Sequence, residues 1–388
     1  MPGRQDRYRV LIAGGGVAAL EAMVALRTLA EDRVDIELLA PDRDFYYRPL
    51  AVTEPFGAGE ALRFDIRALA TGCGAKHRLG SLAAVSPGKH RATTGHGDPI
   101  HYDSLILATG ARPYIAVPGA LTYRGSQDSL AFSRILAEAC SGEVKTLAFV
   151  VPSRVTWPLP LYELALQTAT RLAAEEVEVE IRLLTPEEAP LGVFGREGSE
   201  VVSGLLAGKG IELVSGVHAE RFDKGLVHLV PGVPVPAERA IALPGLRGIP
   251  IGGVPADGSG FVHVNAVCRV KDLDDVYAAG DGTSFPVKQG GLAAQMADAA
   301  ASAIAARAGA SVELAPFDPV LRGLLLTGTE PTYLRAEIGG GHMYASTAGE
   351  SPLWWPAGKI AARYLSPYLA EHADLAFGAF GERSTTRL

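Results

Sequence analysis

One stretch limits the fold more than any other. The apolar run Val10-Leu-Ile-Ala13 passes through Gly14-Gly-Gly16 into Val17–Leu29, a segment rich in Ala and Leu. That order is a buried strand, a tight glycine turn and a helix, the opening of a parallel βαβ unit. Gly14 makes the turn, and Gly16 lets the backbone come close to a phosphate. Ala19 is small enough for the helix to pack on the strand. The amides of Val17 and Ala18 then sit at the positive helix end and face an anion, so the stretch predicts a bound nucleotide pyrophosphate.

The rest of the chain has room for more than this unit. Its 388 residues, 48% of them hydrophobic, exceed one ordinary domain and fill two or three cores. The net charge of −7 comes with scattered basic residues rather than a basic stripe, which argues against a nucleic-acid partner. No apolar run is long enough to span a bilayer and Met1–Arg9 lacks a signal-peptide core, so a cytoplasmic protein is expected. Cys73, Cys140 and Cys268 are far apart without redox-pair spacing, and the histidines lack ligand spacing, so no metal is expected.

Residues Val34–Leu39 read as a second parallel strand. A ribose-binding carboxylate belongs near its end; Ala40 stands there and Asp42 is the nearest substitute. In Phe45-Tyr-Tyr-Arg-Pro-Leu50, Arg48 is either a phosphate- or cofactor-facing cation or a surface arginine. Tyr102–Gly110 is an apolar strand ending in Ala108, Thr109 and Gly110, small enough to pass close to a cofactor. A second unit follows, with a strand at Thr146–Val151, a helix at Pro158–Ala174 and a strand at Glu178–Leu184. Its turn, Pro152–Pro160, has no glycine, and its prolines lack N–H donors.

After a helix and strand within Gly195–Leu213, the Pro- and Gly-rich run Pro231–Gly260 leads back toward the first unit. The strand Asp275–Asp281 and the long helix Leu292–Arg307 complete it, that helix pointing its positive end beyond the strand. The fold class is therefore α/β, with two Rossmann-like domains, one nested in the other. A small α+β C-terminal domain follows, with a hairpin from Val320–Leu326 and Tyr333–Ile338. Near the end, Trp354 and Trp355 precede a short amphipathic helix expected at Lys359–Leu365 and limited by Pro367. The two tryptophans either close the domain core or serve a quinone tunnel, a membrane surface or a subunit contact.

In this order, the Gly14/Gly16/Ala19 turn, Leu107-Ala-Thr-Gly110 and Tyr277-Ala-Ala-Gly-Asp281 resemble the two-dinucleotide-binding-domain FAD oxidoreductases, the pyridine nucleotide-disulfide oxidoreductase superfamily. The resemblance implies noncovalent FAD. It divides the chain into an FAD domain (1–115 with 255–315), a second NAD(P)-type domain with a degenerate turn (116–254) and a C-terminal interface domain (316–388). It also implies that Gly14, Gly16, Val17, Ala18 and Ala19 hold the pyrophosphate. Thr109 and Gly110 lie against the cofactor, with Asp42 and Arg48 the candidates already named for its ribose and phosphate, and Gly280 and Asp281 bind its ribityl or phosphate region. Gly291 and Leu292 open the helix facing the flavin pyrimidine edge, where Lys288 favours negative charge on the reduced ring.

Phe45–Pro49 and Pro286–Gln295 resemble most the type II NADH dehydrogenases, sulfide:quinone oxidoreductases and flavocytochrome c sulfide dehydrogenases. The thiol-based glutathione reductase branch lacks its cysteine pair here. Trp157 stands where the sulfide enzymes carry a cysteine before a Tyr-Glu segment, and Tyr162-Glu-Leu-Ala165 keeps the glutamate of the NADH branch without its glycines. Glu163 is either a proton-handling group beside the flavin or a helix-surface or capping glutamate. The expected activity passes electrons from a reduced donor, NAD(P)H slightly ahead of a sulfur compound, through FAD to a quinone-like acceptor. A flavin-binding assembly protein with little turnover is the competing reading. The C-terminal unit is the expected place for a peripheral membrane contact or a homodimer contact.

Overall fold

In the computed structural model, which describes residues 7–155, 157–339 and 342–377, the glycine turn joins β1 (Tyr8–Ala13) to α1 (Val17–Ala30). The strands β2 (Val34–Ala40), β3 (Lys76–Leu79) and β4 (Ser104–Leu107) follow. The chain then leaves to build a second sheet from β5 (Leu121–Thr122), α2 (Ser126–Cys140), β6 (Thr146–Val150), α3 (Leu159–Ala174), β7 (Glu180–Leu184), α4 (Gly195–Gly208), β8 (Ile211–Val214) and β9 (Arg239–Ala242). It returns with β10 (Val276–Ala278) and α5 (Gly290–Arg307). A last unit holds β11 (Val320–Leu325), β12 (Thr332–Gly339), β13 (His342–Gly349) and α6 (Leu365–Glu371).

The two large sheets share one topology. The first runs β10-β4-β1-β2-β3 and the second β5-β9-β6-β7-β8, every neighbour parallel. The order reverses between β1 and β4 in one sheet and between β6 and β9 in the other, which is where such sheets open a ligand crevice beyond their strand ends. Parallel strands covered on both faces must be apolar throughout, and Val10, Leu11 and Ile12 are each no more than 1% exposed. These are the two nested Rossmann-like halves read from the sequence.

Around the first sheet, α1 and α5 pack through alanines: Ala18, Ala22 and Ala25 share a core with Ala297, Ala300 and Ala301. Small side chains let two helices approach closely. Gly280 is wedged between them, since a Cβ there would stand 3.3 Å from both Ala18 and Ala293.

The C-terminal unit is a three-stranded antiparallel sheet rather than a hairpin alone, ordered β11-β12-β13. One face, with Leu321, Leu325, Leu334 and Ala336, completes the core of the second half against Leu159 and Phe194. The chain then runs back as a strap over the first half. Ile360, Leu365 and Leu369 enter that core, the Tyr368 hydroxyl donates to Leu69 O at 2.7 Å, and Ala376 pairs with Phe64. The helix expected at Lys359–Leu365 begins only at Leu365, because the preceding residues are spent on contacts with α5 and Tyr47. Pro367 lies in the first turn of α6, where a missing N–H breaks no helical bond. The tryptophans divide: Trp354 is part-buried, edge-on to Tyr333 at 5.1 Å, whereas Trp355 is 89% exposed and closes no core.

Candidate active site

The glycine turn lies at the switch point of the first sheet. Gly14 has φ 141° and donates its N–H to Leu39 O at 2.8 Å, and a Cβ on it would stand 2.0 Å from Ala108 O. Only glycine lets the end of β1 pass this close to the end of β4. At the start of α1, Gly16 is extended, no side chain caps the helix, and no acidic residue sits in the first turn. A Cβ on Gly16 would meet nothing within 4 Å, so these amides open onto free space suited to an anion. Ala19, wholly buried, has the packing role expected of it.

The other two motifs meet there. Gly110, with φ 68°, follows Thr109 at the end of β4, and a Cβ on Gly282 would lie 3.0 Å from Gly110 O. Asp281 is thereby held against the Thr109–Gly110 turn. Burial raises its carboxyl above the usual range, while Lys288 and then Arg48 draw it down, so these three separated residues share one electrostatic site. Burial pushes Lys288 down to about 8, opposed by Asp281 and Asp257. Its ammonium donates to Thr283 O and lies 4.1 Å from the centre of the Phe261 ring, a partner the sequence did not single out. At α5, Gln289 caps the helix by accepting from Leu292 N at 2.8 Å, and the Leu292 side chain enters the second core. Leu292 therefore has no free amide for a ligand, and Gly290 and Gly291 are left to present theirs. Asp42 is exposed two residues beyond β2, and the exposed Arg48 opens the 3-10 segment Arg48–Phe56.

Glu163 is neither a surface nor a capping residue. It is 1% exposed on α3 and forms an ion pair with Lys359, which is 5% exposed. Leu326 N donates to Glu163 Oε1 at 2.8 Å, and Lys359 Nζ donates to Leu324 O at 2.9 Å. Burial raises Glu163, with Lys359 and Leu326 opposing; burial lowers Lys359, with Glu163 opposing. Both shifts favour the uncharged forms and oppose the mutual attraction of the ion pair. The second oxygen, Oε2, is buried without a hydrogen-bond partner among the described residues. The pair adjoins α5: Ile360 Cγ1 would be 3.4 Å from a Cβ on Gly290, and Ala361 O 3.6 Å from one on Gly291.

Residues 8–149 match the pyridine nucleotide-disulphide oxidoreductase family. The chain is similar to this family over that segment. Its fold is similar to that of the sulfide:quinone oxidoreductase of Aquifex aeolicus, at TM-score 0.78 and 19% identity, over 98% of this chain and 100% of that one. A ferredoxin reductase from Rhodopseudomonas palustris is similar at TM-score 0.63 and 20% identity, over 85% of this chain and 82% of its own. In sequence, ferroptosis suppressor protein 1 of Taeniopygia guttata is 31% identical over 104 residues, and the chain spans about a quarter (26%) of that relative's length. Members of that family are FAD-dependent oxidoreductases, and FAD is the cofactor to which the similarity points. The residues fit it: an uncapped glycine turn for the pyrophosphate, a close-packed Gly110–Gly282 contact and a cation beside Asp281.

The second half repeats the topology of the first but not its nucleotide cradle. After β6 the chain runs through Pro152, and α3 starts after Pro158 with the buried Leu159 and with Pro160 in its first turn. That helix end has neither the glycines nor the free amides of α1. Glu187 stands three residues past β7, where a ribose carboxylate would be, but it is engaged by its own half. Tyr162 donates to Glu187 Oε2 at 2.7 Å and Thr185 donates to the same oxygen at 2.9 Å. Burial raises Glu187, with Tyr162 and Thr185 opposing. Trp157 packs on Phe194 with ring centres 5.7 Å apart. Cys73 and Cys268 are buried in the first core, and burial pushes them up to about 11 and about 12, so neither is a reactive thiolate. Among the described residues no helix is long and apolar enough to cross a membrane.

Proposed function

We propose that this protein passes an electron pair from a small reduced donor through FAD to a quinone-like acceptor, with Glu163 and Lys359 handling the protons. The observation that carries the reading is the buried Glu163–Lys359 pair beside the start of α5, with Glu163 Oε2 unpartnered. FAD, when bound, supplies reversible two-electron chemistry. A quinone takes up two protons with two electrons, so a site that reduces it needs a proton source. A hydride brings one of those protons with the electron pair, and the carboxyl and amine, which share one proton, can deliver the second; this leaves Glu163 as a carboxylate beside an uncharged Lys359 until solvent returns a proton to the pair. Asp281, Lys288 and the start of α5 provide the polar surroundings for the cofactor.

For the donor, the geometry weighs against the initial preference for NAD(P)H. Pro158 and Pro160 leave no phosphate cradle, and Glu187 is already bonded to Tyr162 and Thr185. Sulfur chemistry through a cysteine pair is disfavoured by Trp157 and by the buried thiols. The test is anaerobic titration of the FAD-loaded protein with NADH, NADPH, sulfide and a quinol, followed by reoxidation with menadione. Flavin bleaching by the quinol or another small reductant, and reoxidation by menadione, are expected. Glu163→Gln should keep its FAD and slow turnover about 10- to 100-fold. Full turnover in that variant, or a reduced flavin that menadione does not reoxidise, would sink the reading.

A further inference from the structure

The outer face of the C-terminal sheet carries a charge arrangement that the sheet alone does not explain. Leu321, Leu325, Leu334 and Ala336 point into the core, and a Cβ on Gly323 would stand 2.5 Å from Phe194. Strand alternation therefore puts Arg322, Leu324, Tyr333, Arg335 and Glu337 on the opposite face. The register sets Arg322 directly across from Arg335. Like charges so placed repel, and a partly buried guanidinium costs free energy unless an anion meets it.

One carboxylate is available, and it is taken. Arg335 Nη2 donates to Glu337 Oε1 at 2.5 Å, whereas among the described residues the Arg322 guanidinium has no ion-pair or hydrogen-bond partner. Burial and Arg335 together hold Arg322 below the ordinary guanidinium range, with Glu337 opposing. Beside the two cations stands an aromatic wall, Tyr333 edge-on to Trp354, the latter fixed by donating its indole N–H to Gly358 O at 3.0 Å. The face also borders the candidate active site. Gln289, the cap of α5, donates to Arg322 O at 3.1 Å, and Lys359 donates to Leu324 O at 2.9 Å.

We propose that this face is a subsite for the anionic group of a planar acceptor, with Arg322 and Arg335 pairing to a carboxylate or sulfonate and the part-buried Trp354, backed by the buried Tyr333, against its ring. A guanidinium fork suits a planar, two-oxygen anion, and an aromatic pair accepts a flat ring at little entropic cost. The identity of the acceptor rests on the quinone reading above, but the binding preference does not.

The test is equilibrium dialysis of the FAD-loaded protein against a naphthoquinone sulfonate and against menadione, its uncharged analogue, with the reduction of each measured separately. The wild type should bind the sulfonate about tenfold more tightly, the size of one charge-assisted contact. Arg322→Gln should bring the two affinities within about twofold, and Arg322→Lys, a point charge without the fork, should fall between. Thermal midpoint and FAD content show whether each variant is folded. Equal affinities in the wild type, or an undiminished ratio in a folded Arg322→Gln, would overturn the subsite. If the ratio holds and neither compound is reduced, the quinone reading falls while the subsite stands. If both are reduced but bind equally, the subsite falls and the quinone reading stands.

Discussion

Removing either member of the Glu163–Lys359 pair should destabilise the protein with opposite dependence on pH. Both side chains are almost wholly buried, so the lost partner is not replaced by water. Breaking such a pair costs roughly 3–5 kcal/mol. In Lys359→Met, the lone Glu163 is left with only the Leu326 N–H, and its folded pKa rises further above the ordinary 4.5. A raised pKa gives stability below the unfolded value that is lost as pH climbs, so this variant should weaken from acid toward neutral pH by up to about 1.4 kcal/mol per unit. In Glu163→Gln, the lone Lys359 falls further below the ordinary 10.5 and folds uncharged while the unfolded chain is protonated. That penalty grows as pH falls, so the variant should strengthen toward alkaline pH. The double variant Glu163→Gln/Lys359→Met carries neither charge and keeps an acceptor for Leu326 N. It should recover most of the loss, with a coupling of about 2 kcal/mol or more. Urea unfolding across about pH 5 to 9 measures all three. Single-variant costs under about 1 kcal/mol, or slopes of the same sign, would refute the sealed pair and the proton-handling role built on it.

Gly14→Ala should abolish FAD binding or folding, since its Cβ would stand 2.0 Å from Ala108 O at a φ of 141°; the absorption spectrum of the purified variant checks this. Tyr162→Phe should cost about 1–3 kcal/mol by removing a bond to the part-buried Glu187, and it should not create NADH binding, because Pro158 and Pro160 still leave no phosphate cradle; thermal melting and NADH titration test the two halves. Asp298 is pushed up to about 9 by burial and by Glu21, which faces it from α1. A raised carboxyl pKa makes the wild type lose stability between about pH 4 and 9, and Asp298→Asn should flatten that loss, as melting temperatures over the range would show.

The sheets and the glycine turn were legible because their signals are local: apolar runs of strand length, a glycine triplet and an alanine-rich helix, each within about a dozen residues of its neighbours. The three cofactor motifs could be read together because each ends a parallel strand of one sheet. The proton pair was only half legible. Glu163 sits in a recognisable Tyr-Glu-Leu-Ala segment, but Lys359 lies 196 residues away, a lone cation after Trp354–Gly358 with no pattern to announce its partner. The same limit hid Phe261 beneath Lys288 and the use of Leu292 N by Gln289. Amphipathic spacing alone also suggested a helix at Lys359–Leu365, where tertiary contacts with Tyr47 and α5 take the backbone instead.

The strap from Trp354 to Ala376 explains why the site needs all three parts of the chain. Lys359 reaches Glu163 on the second half and Leu324 in the C-terminal sheet, while Ile360, one residue on, packs on the start of α5 in the first half. Four residues later, Tyr364 N donates to the buried Glu21 of α1 at 2.9 Å. A ligand gripped between the halves therefore competes with, or reinforces, contacts made by a single short segment. Neither half alone could set the charge state of the pair, because the desolvation that raises Glu163 and lowers Lys359 exists only when the strap is down. The nested half has no glycine turn before its helix α3, and Glu187 is bonded within that half. On the proposed reading, that helix would serve the chemistry through Glu163 rather than through a second dinucleotide.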